Sequence, residues 1–508
     1  MHRAFRSIPV FAMTLLLLAG LAATASAAPS PVTFAPYLVP PQAPPPSSPA
    51  VAALLEGSNV TGHNGWIVAR LQGSPYQIGF QNGYLTAQSA DYGITYDVAA
   101  LGTPYRKLCD RVAQDYVWPL IPAEYQQELK GITDGLHAAG YTQDTLWDVV
   151  AANAWADEPC YATLLPKSTS TSTSGTATGR AARKTGGCSA FIATGDATTS
   201  GKPVMGHDTW DYYDGCITYN VMYYVHPSKG YDFSYQSCGG QIWSGEDWYE
   251  NSAGLLLTET TLADSFYTPT GIPVFVRARE AAQYDATVAQ AVDTLVNGNN
   301  GAYSNEWLIG DKSGEIASLQ LGDKAYDLNE THNGFFGSSN FDWGPKTGAE
   351  EIAAKTGYSP DPYDPAVVDY ARYIRWGQLK DKYYGQIDAS VGMTMESDTY
   401  DTYLGRELPD ARDICGEPEY GTPGLLNWDK WVLEPEGAVD GKVTTEAMAL
   451  HGLQSWACLG RGSGDHFDAA AYLAANPGWA SSHGAFSLFT LQTFSALSTD
   501  KWGLLQGN

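Results

Sequence analysis

Between Leu165 and Asp214 a tract of Ser, Thr and Gly (168–179) gives way to Arg180, Arg183 and Lys184. There follows Thr185-Gly186-Gly187-Cys188-Ser189-Ala190-Phe191-Ile192-Ala193. The polar tract has little to bury and is expected to be a mobile linker. The chemistry open to this junction turns on one bond. While Cys188 is internal, its nitrogen belongs to an amide and cannot act as a base. Once the Gly187–Cys188 bond breaks, that nitrogen becomes an α-amine with a pKa of about 8. A single residue then offers both a thiol nucleophile and a general base. The thiol can break the bond itself, by attacking the Gly187 carbonyl to give a thioester that water opens. The glycine pair suits this, since glycine tolerates the unusual backbone angles of a strained scissile bond. A protease acting at the basic residues would instead leave a few residues ahead of Cys188 and no free amine on it. By composition and spacing alone, Cys188 also reads as a disulfide partner or a buried thiol that opens a strand.

The elements around the junction must position it. After a Gly/Ser-rich turn (195–201) comes Pro203-Val204-Met205-Gly206-His207-Asp208-Thr209-Trp210, so 188–194 and 203–207 predict a hairpin. Ahead of it, 66–71 predicts a strand, and Ser74 with Pro75 predicts a helix start. Further helices are expected over 122–139, with Leu129, Ile132 and Leu136 on one face, and over 144–156. Downstream, 217–225 and 254–260 carry the β-branched and aromatic residues of buried strands. Helices are expected at 273–284, 285–296 and 365–382, and strands at 306–309 and 315–321 across Asp311-Lys312-Ser313-Gly314. Asp440-Gly441-Lys442 reads as a turn, and 486–494 as aromatic-rich strands. Hairpins, then helices, then hairpins predict an α+β protein with sheets packed between helices.

The chain has 508 residues, enough for two or three average domains or one large unit, and 44% hydrophobic content is ample for a core. Its formal charge of -26 argues against nucleic acid or an anionic membrane surface as partner, because both require basic patches. His2, Arg3 and Arg6 precede an apolar run (11–23) and Ala25-Ser26-Ala27, the pattern of an export signal over 1–27. A retained anchor is the alternative reading of that run. Residues 28–50 read as a Pro-rich, solvated spacer. No later segment has the length of a membrane-spanning helix. The expectation is a secreted or periplasmic protein with no stable membrane insertion. In an oxidising compartment Cys109, Cys160, Cys216, Cys238, Cys415 and Cys458 could pair, leaving Cys188 over. Cys216 and Cys238 flank an expected hairpin and are the favoured pair. None of the cysteine spacings makes a zinc cluster.

Cys188-Ser189-Ala190 followed by Gly206-His207-Asp208-Thr209-Trp210 resembles the phospholipase B-like proteins. Those are grouped with the isopenicillin-N acyltransferase-type cysteine peptidases among the N-terminal nucleophile (Ntn) hydrolases. Four further stretches agree in order. Gly79-Phe80-Gln81-Asn82-Gly83 resembles a glycine-spaced helix of the acyltransferase-type members, and Leu257-Thr258-Glu259-Thr260-Thr261 a Leu-Glu-Thr-Thr segment of the phospholipase B-like branch. Ser339-Asn340-Phe341 resembles the asparagine motif that closes the site, and Arg412-Asp413-Ile414-Cys415 an Arg-x-Ile-Cys segment.

The resemblance implies a four-layer αββα Ntn sandwich with a helical N-terminal section. It also implies maturation into a small chain (51–187) and a large catalytic chain (188–508). Cys188 would be the nucleophile, and His207 and Asp208 would orient the amine or the substrate. Asn340 would donate to the oxyanion, Thr260 and Thr261 would supply a second polar group, and Arg372 would stand near the nucleophile. By residue type alone these read as a core histidine, a turn-capping carboxylate, a turn asparagine and an exposed helix arginine. A zinc site using both His207 and Asp208 shows no third ligand in the sequence. Bile-salt and penicillin hydrolase relatives carry an arginine where this chain has Val204, so substrate anchoring must differ from theirs. The implied reaction is hydrolysis of an amide, in an N-acyl compound or small peptide, with no metal or organic cofactor required. Two alternatives stand beside it. One is a lipid deacylase. The other is a secreted glycan- or cell-wall-binding protein that uses its 32 Tyr and 15 Trp as stacking platforms, although these are spread along the chain.

Overall fold

Two strands ahead of the Cys188 hairpin are built into the same sheet as strands far beyond it. The computed structural model describes residues 34–99, 102–157, 187–262, 268, 270–349, 363–418 and 435–507. It comprises one unit of Met1–Ala35 and another of Pro36–Asn508, and the second carries everything below. The expected export leader (1–27), the Ser/Thr/Gly linker (168–179) and Cys160 lie outside the described residues.

In chain order the strands are β1 (Asn59–His63), β2 (Trp66–Gly73), β3 (Cys188–Gly195), β4 (Gly201–Tyr212), β5 (Val221–Pro227) and β6 (Phe233–Ser237). They continue as β7 (Trp248–Asn251), β8 (Leu256–Thr261), β9 (Asn305–Gly310), β10 (Ile316–Leu321), β11 (Tyr326–Thr331) and β12 (Gly334–Ser338). The last are β13 (Tyr400–Asp401), β14 (Arg406–Glu407), β15 (Glu436–Ala438), β16 (Asp440–Thr445), β17 (Ser455–Leu459) and β18 (Gly503–Leu505). Among the described residues they form a nine-stranded sheet, β1-β2-β5-β6-β7-β8-β9-β10-β11, a seven-stranded sheet, β12-β3-β4-β16-β17-β18 with β15 on β4, and a separate β13-β14 pair. β2 and β5 run parallel; the other neighbours in both sheets are antiparallel. Because β2 lies ahead of Cys188 and β5 beyond it, the two halves of a cut chain would still share one sheet.

The period of two along β3 explains why there are four layers. Ala190 and Ile192 point into the core between the sheets, with Met205, Leu257 and Ile309. Phe191 and Ala193 point the other way, onto a second core with Trp376, Leu379 and Met395. A strand buried on both faces needs cover on both faces. Helices α1 (Pro75–Leu85), α2 (Ala123–Ala139), α3 (Val274–Tyr284) and α4 (Val288–Val296) lie on the nine-stranded side, while α5 (Val368–Tyr383) and α6 (Ala389–Glu396) cover the seven-stranded sheet. The architecture is therefore α+β in αββα layers, as expected.

α1 begins where its sequence predicts, with Ser74 Oγ accepting from the Gln77 N–H and Pro75 at the first helical position. Its glycines serve a close crossing with α2. A Cβ on Gly79 would collide with the Glu128 carbonyl oxygen, and one on Gly83 with that of Ile132; Gly131 and Gly135 face α1 in the same way.

Four expectations are corrected. Residues 486–494 are not strands but part of a helix, α7 (Trp479–Leu497), because Phe486 and Phe489 both meet Tyr92 while Phe494 stacks on Tyr213. That is helical spacing. Asp440-Gly441-Lys442 is not a turn but the start of β16, held in the sheet interior by an Asp440–Lys442 ion pair. The Cys216–Cys238 disulfide does not form: Cys238 is a free thiol that donates to the Ser89 carbonyl oxygen, and Cys188, Cys415 and Cys458 are also free and buried. The later part of the Pro-rich stretch is mostly exposed but is tied to the fold rather than a free spacer. Tyr37 is buried and donates to Asn220, and Pro44 O accepts from Tyr84. No helix of the described residues is long and apolar enough to cross a membrane.

The helix crossing gives a direct test. Gly83→Ala should destabilise the protein by about 1–3 kcal/mol, the usual cost of forcing a methyl group into a filled contact. Thermal unfolding followed by circular dichroism measures it, and an unchanged midpoint would show that the crossing is not the close contact described.

Candidate active site

Strand register sets the first contact. β12 pairs antiparallel with β3, Ser338 opposite Ala190, so the chain leaving β12 brings Asn340 opposite Cys188. The Cys188 N–H donates to Asn340 Oδ1 at 2.8 Å. On its other side, Arg372 of α5 donates through Nη1 to the Cys188 carbonyl oxygen at 2.5 Å, and through Nη2 to Asn340 Oδ1 at 2.9 Å. Two donors converge on Oδ1, which fixes the orientation of the Asn340 amide. Arg372 is fully buried, lies 4.2 Å over the Trp210 ring and is paired with Asp369 at 3.0 Å. It is not the exposed helix arginine that its sequence position allows.

Asn340 is held in turn. It adopts a φ of 62°, a left-handed conformation that asparagine tolerates better than most residues. Its Nδ2 donates to the Thr261 carbonyl oxygen at 2.8 Å, and its backbone N–H to Thr260 Oγ1 at 3.4 Å. Thr260 Oγ1 shares a 2.6 Å hydrogen bond with Ser338 Oγ, which donates to Glu306, and Thr261 Oγ1 shares one of 2.6 Å with the Tyr303 hydroxyl. The Thr260/Thr261 pair therefore braces Asn340. The Asn340 side-chain carbonyl faces the Cys188 nitrogen, and one of its amide N–H bonds is committed to Thr261.

Alternation along β3 and β4 divides the remaining candidates. Cys188, His207 and Thr209 share the face toward the nine-stranded sheet: His207 Nε2 donates to the Glu259 carbonyl oxygen on β8 at 3.0 Å. With Nε2–H so engaged, Nδ1 carries the lone pair, 3.5 Å from Thr209 Oγ1. Asp208 points through the opposite face. Its carboxyl faces Glu396 of α6, and no donor from elsewhere among the described residues reaches either group. The structure thus brings Cys188, His207, Asn340, Arg372, Thr260 and Thr261 together and leaves Asp208 on the far side of the sheet.

Sequence reasoning missed the residues facing the thiol. Cys188 Sγ, a ring nitrogen of His207 and a carboxylate oxygen of Asp247 lie within 4.8 Å of one another. Asp247 has a φ of 58°, and its carbonyl oxygen accepts from Thr258 Oγ1. Its carboxyl faces that of Glu259. Alongside, Lys442 Nζ donates to Asp440 Oδ1 at 2.6 Å and to Thr209 Oγ1 at 2.8 Å. The available signal was an acidic pair, Glu246-Asp247, between Trp243 and Trp248, where a surface acid would be out of place.

Burial dominates the electrostatics. It pushes the Cys188 thiol up, with Asp247 and Glu259 adding to the rise, so the thiol of the intact chain is protonated. His207 is held well below its usual range by burial and then by Lys442, and is neutral. Asp247 and Glu259 are both raised, first by burial; like-charged carboxyls in contact cannot both ionise easily, and the pair shares a proton.

Residues 76–325, just under half of the chain, match the family model of phospholipase B. An uncharacterized protein of Archaeoglobus fulgidus is 25% identical over 269 residues, covering 49% of this chain and 42% of its own length. The chain thus spans less than half of that relative. Among solved structures, a penicillin V acylase from Agrobacterium tumefaciens is 13% identical, with a TM-score of 0.32 over 54% of this chain and 83% of its own. A variant of conjugated bile acid hydrolase from Clostridium perfringens is 10% identical, with a TM-score of 0.30 over 53% and 89%. At such scores the likeness carries no argument, and the fold rests on the layers and strand orders above.

The buried acids make stability pH-dependent. A carboxyl raised in the folded chain binds its proton more tightly there than in the unfolded chain, where glutamate titrates near about 4.3. Its contribution is complete below that value and is lost as pH climbs toward the folded value, about 8 for Glu250 and about 7 for Glu259. Asp148 and Asp401, lowered by Arg106 and Arg412, oppose this only at acid pH, below about 4, and His207, held neutral by burial, opposes it up to about 6.5 as one group against several raised carboxyls. The melting temperature of a Cys188→Ala chain should fall between pH 5 and pH 8 by calorimetry. A melting temperature that rises over that interval would contradict the assignment.

Proposed function

We propose that the protein is an exported cysteine Ntn hydrolase, cut between Gly187 and Cys188, that cleaves amide bonds of N-acyl compounds or small peptides through a Cys188 acyl-enzyme. One observation carries the reading: Cys188 is gripped at both ends of its backbone. Asn340 holds the nitrogen that would become the amine, and Arg372 holds the Cys188 carbonyl. Gly187 fits where a Cβ would stand 2.9 Å from Arg372 Nη2, 3.1 Å from Asn340 Oδ1 and 3.1 Å from the Trp210 ring. A structural thiol at a strand start needs none of this.

In maturation the Cys188 thiol gives its proton to the Asp247/Glu259 pair and its sulfur bonds to the Gly187 carbonyl carbon. The C–N bond breaks as the nitrogen takes up a proton, leaving a thioester. Water then adds, releasing a Gly187 carboxylate and regenerating the thiol beside a free α-amine. In turnover that amine, steered by Asn340 Oδ1, takes the thiol proton as sulfur attacks the substrate carbonyl. The second Asn340 N–H meets the oxyanion, and the proton passes to the leaving amine. Water hydrolyses the acyl-enzyme. His207 is neutral and bonded to a backbone carbonyl, which suits shaping the pocket better than carrying protons.

The phospholipase B match favours a second reading, in which the same acyl-enzyme forms from a lipid ester. Fold and family do not fix the substrate. Trp66, Trp243, Trp248, Trp307 and Trp376 are buried, which takes these rings away from a glycan-stacking surface.

A panel of N-acyl amides and short peptides, set against phospholipid vesicles, separates the two enzyme readings. Amide turnover that disappears in Cys188→Ala is expected; release of fatty acid alone would favour the lipid reading, and inertness toward both would contradict the proposal. Asn340→Ala should lower turnover by about 100-fold or more with the fold intact, as for other oxyanion donors. Unchanged turnover would remove Asn340 from the site.

A further inference from the structure

We infer that Cys188, His207 and Asp247 form a site for a divalent metal ion of the zinc class, and that occupation of this site holds the nucleophile inert. The inference goes beyond the hydrolytic reading, since metal binding can be read without turnover. Its first support is the donor set. One thiol sulfur, one imidazole nitrogen and one carboxylate oxygen, all buried, converge within 4.8 Å. Borderline zinc takes these three ligand types in tetrahedral sites. Ligand atoms on a tetrahedral zinc stand about 3.5 Å apart, given bonds of about 2.0–2.3 Å. Side-chain rotation of about an ångström therefore closes the set, and three protein ligands leave a fourth position open. Asp247 is the third ligand that His207 and its neighbours lacked in the sequence.

The second support is the shell around the donors. A histidine that binds metal through one nitrogen generally donates its other N–H to a carbonyl or carboxylate. His207 already does this, Nε2–H to the Glu259 carbonyl oxygen, which leaves Nδ1 as the ligating atom. Asp247 is fixed on its backbone by Thr258 and faced by the Glu259 carboxyl.

The third support is charge. Glu246, Asp247, Glu259 and Asp440 are buried close enough to feel one another's charge, and the Lys442 ammonium among them is already bonded to Asp440. An acid-rich, water-poor site favours a cation that binds without leaving net charge behind. On binding, the thiol releases its proton to solvent and the proton shared by Asp247 and Glu259 stays on Glu259, so thiolate, Asp247 carboxylate and M²⁺ sum to a neutral complex. No electron moves. Sulfur bound to metal has its lone pair engaged, so attack on either the Gly187 carbonyl or a substrate is blocked.

The test uses the purified full-length protein, cut or uncut, equilibrated anaerobically with Co²⁺ as a spectroscopic stand-in and then with Zn²⁺. One equivalent of Co²⁺ should give a thiolate-to-cobalt charge-transfer band, which Zn²⁺ abolishes by displacement. Cys188→Ser should lose the band, while the near-isosteric Asp247→Asn and His207→Gln should weaken binding by about 10-fold or more. Where the chain is active, Zn²⁺ should suppress turnover and a chelator should restore it. Absence of the band in the wild-type chain, or equal affinity in the wild type and Asp247→Asn, would overturn the site. A cobalt band in a chain whose metal-free form turns over no amide would leave the metal site standing and remove the hydrolytic reading.

Discussion

The Cys188 nitrogen and carbonyl oxygen are held by Asn340 and Arg372, and those two side chains also hold each other. Each contact depends on a different part of the chain. Asn340 arrives through the register of β12 on β3, and its left-handed backbone is braced by Thr260 and Thr261 of β8 in the other sheet. Arg372 arrives on the helix that covers the outer face, and its burial is tolerated because Asp369 and the Trp210 ring compensate its charge. The site thus joins three of the four layers. A shift of one residue in the β12–β3 register would send Asn340 away from Cys188.

The acids beside this clamp run against simple stability. A carboxyl taken out of water must be paired, hydrogen-bonded or protonated. Here Asp247 faces Glu259 on one side of the seven-stranded sheet and Asp208 faces Glu396 on the other, with Lys442 and Asp440 alongside. A core built only for packing would carry apolar residues at these positions. That the costly groups gather around one thiol and the strand that supports it is the pattern expected of a functional site, where strained or titratable groups are retained for chemistry.

Much of the architecture was legible because it is written in local chemistry. The Ser74-Pro75 cap started α1, and the Gly195–Gly201 turn set the β3–β4 hairpin. The two-faced burial of β3 required helices outside both sheets. Local reasoning failed where long-range packing decided. Phe486, Phe489 and Phe494 carry aromatic β-propensity but meet Tyr92 and Tyr213 at helical spacing. Asp440-Gly441-Lys442 has turn composition, yet its charges neutralise each other inside a sheet. At the site, the order of Cys188, Thr260, Thr261 and Asn340 along the chain foretold residues that do meet. The sequence alone could not say that His207 and Asp208, as neighbours on a strand, face opposite ways, nor that Asp247 turns toward the thiol, because that depends on how two sheets stack.

The central claim is that Cys188 becomes an N-terminus. Intact-mass measurement of the purified protein, with N-terminal sequencing of its pieces, tests it most directly. The account requires a chain that begins at Cys188, and its absence from a Cys188→Ala preparation made in the same way. A wild-type chain that remains uncut, or one cut only at Arg180, Arg183 or Lys184, would contradict it.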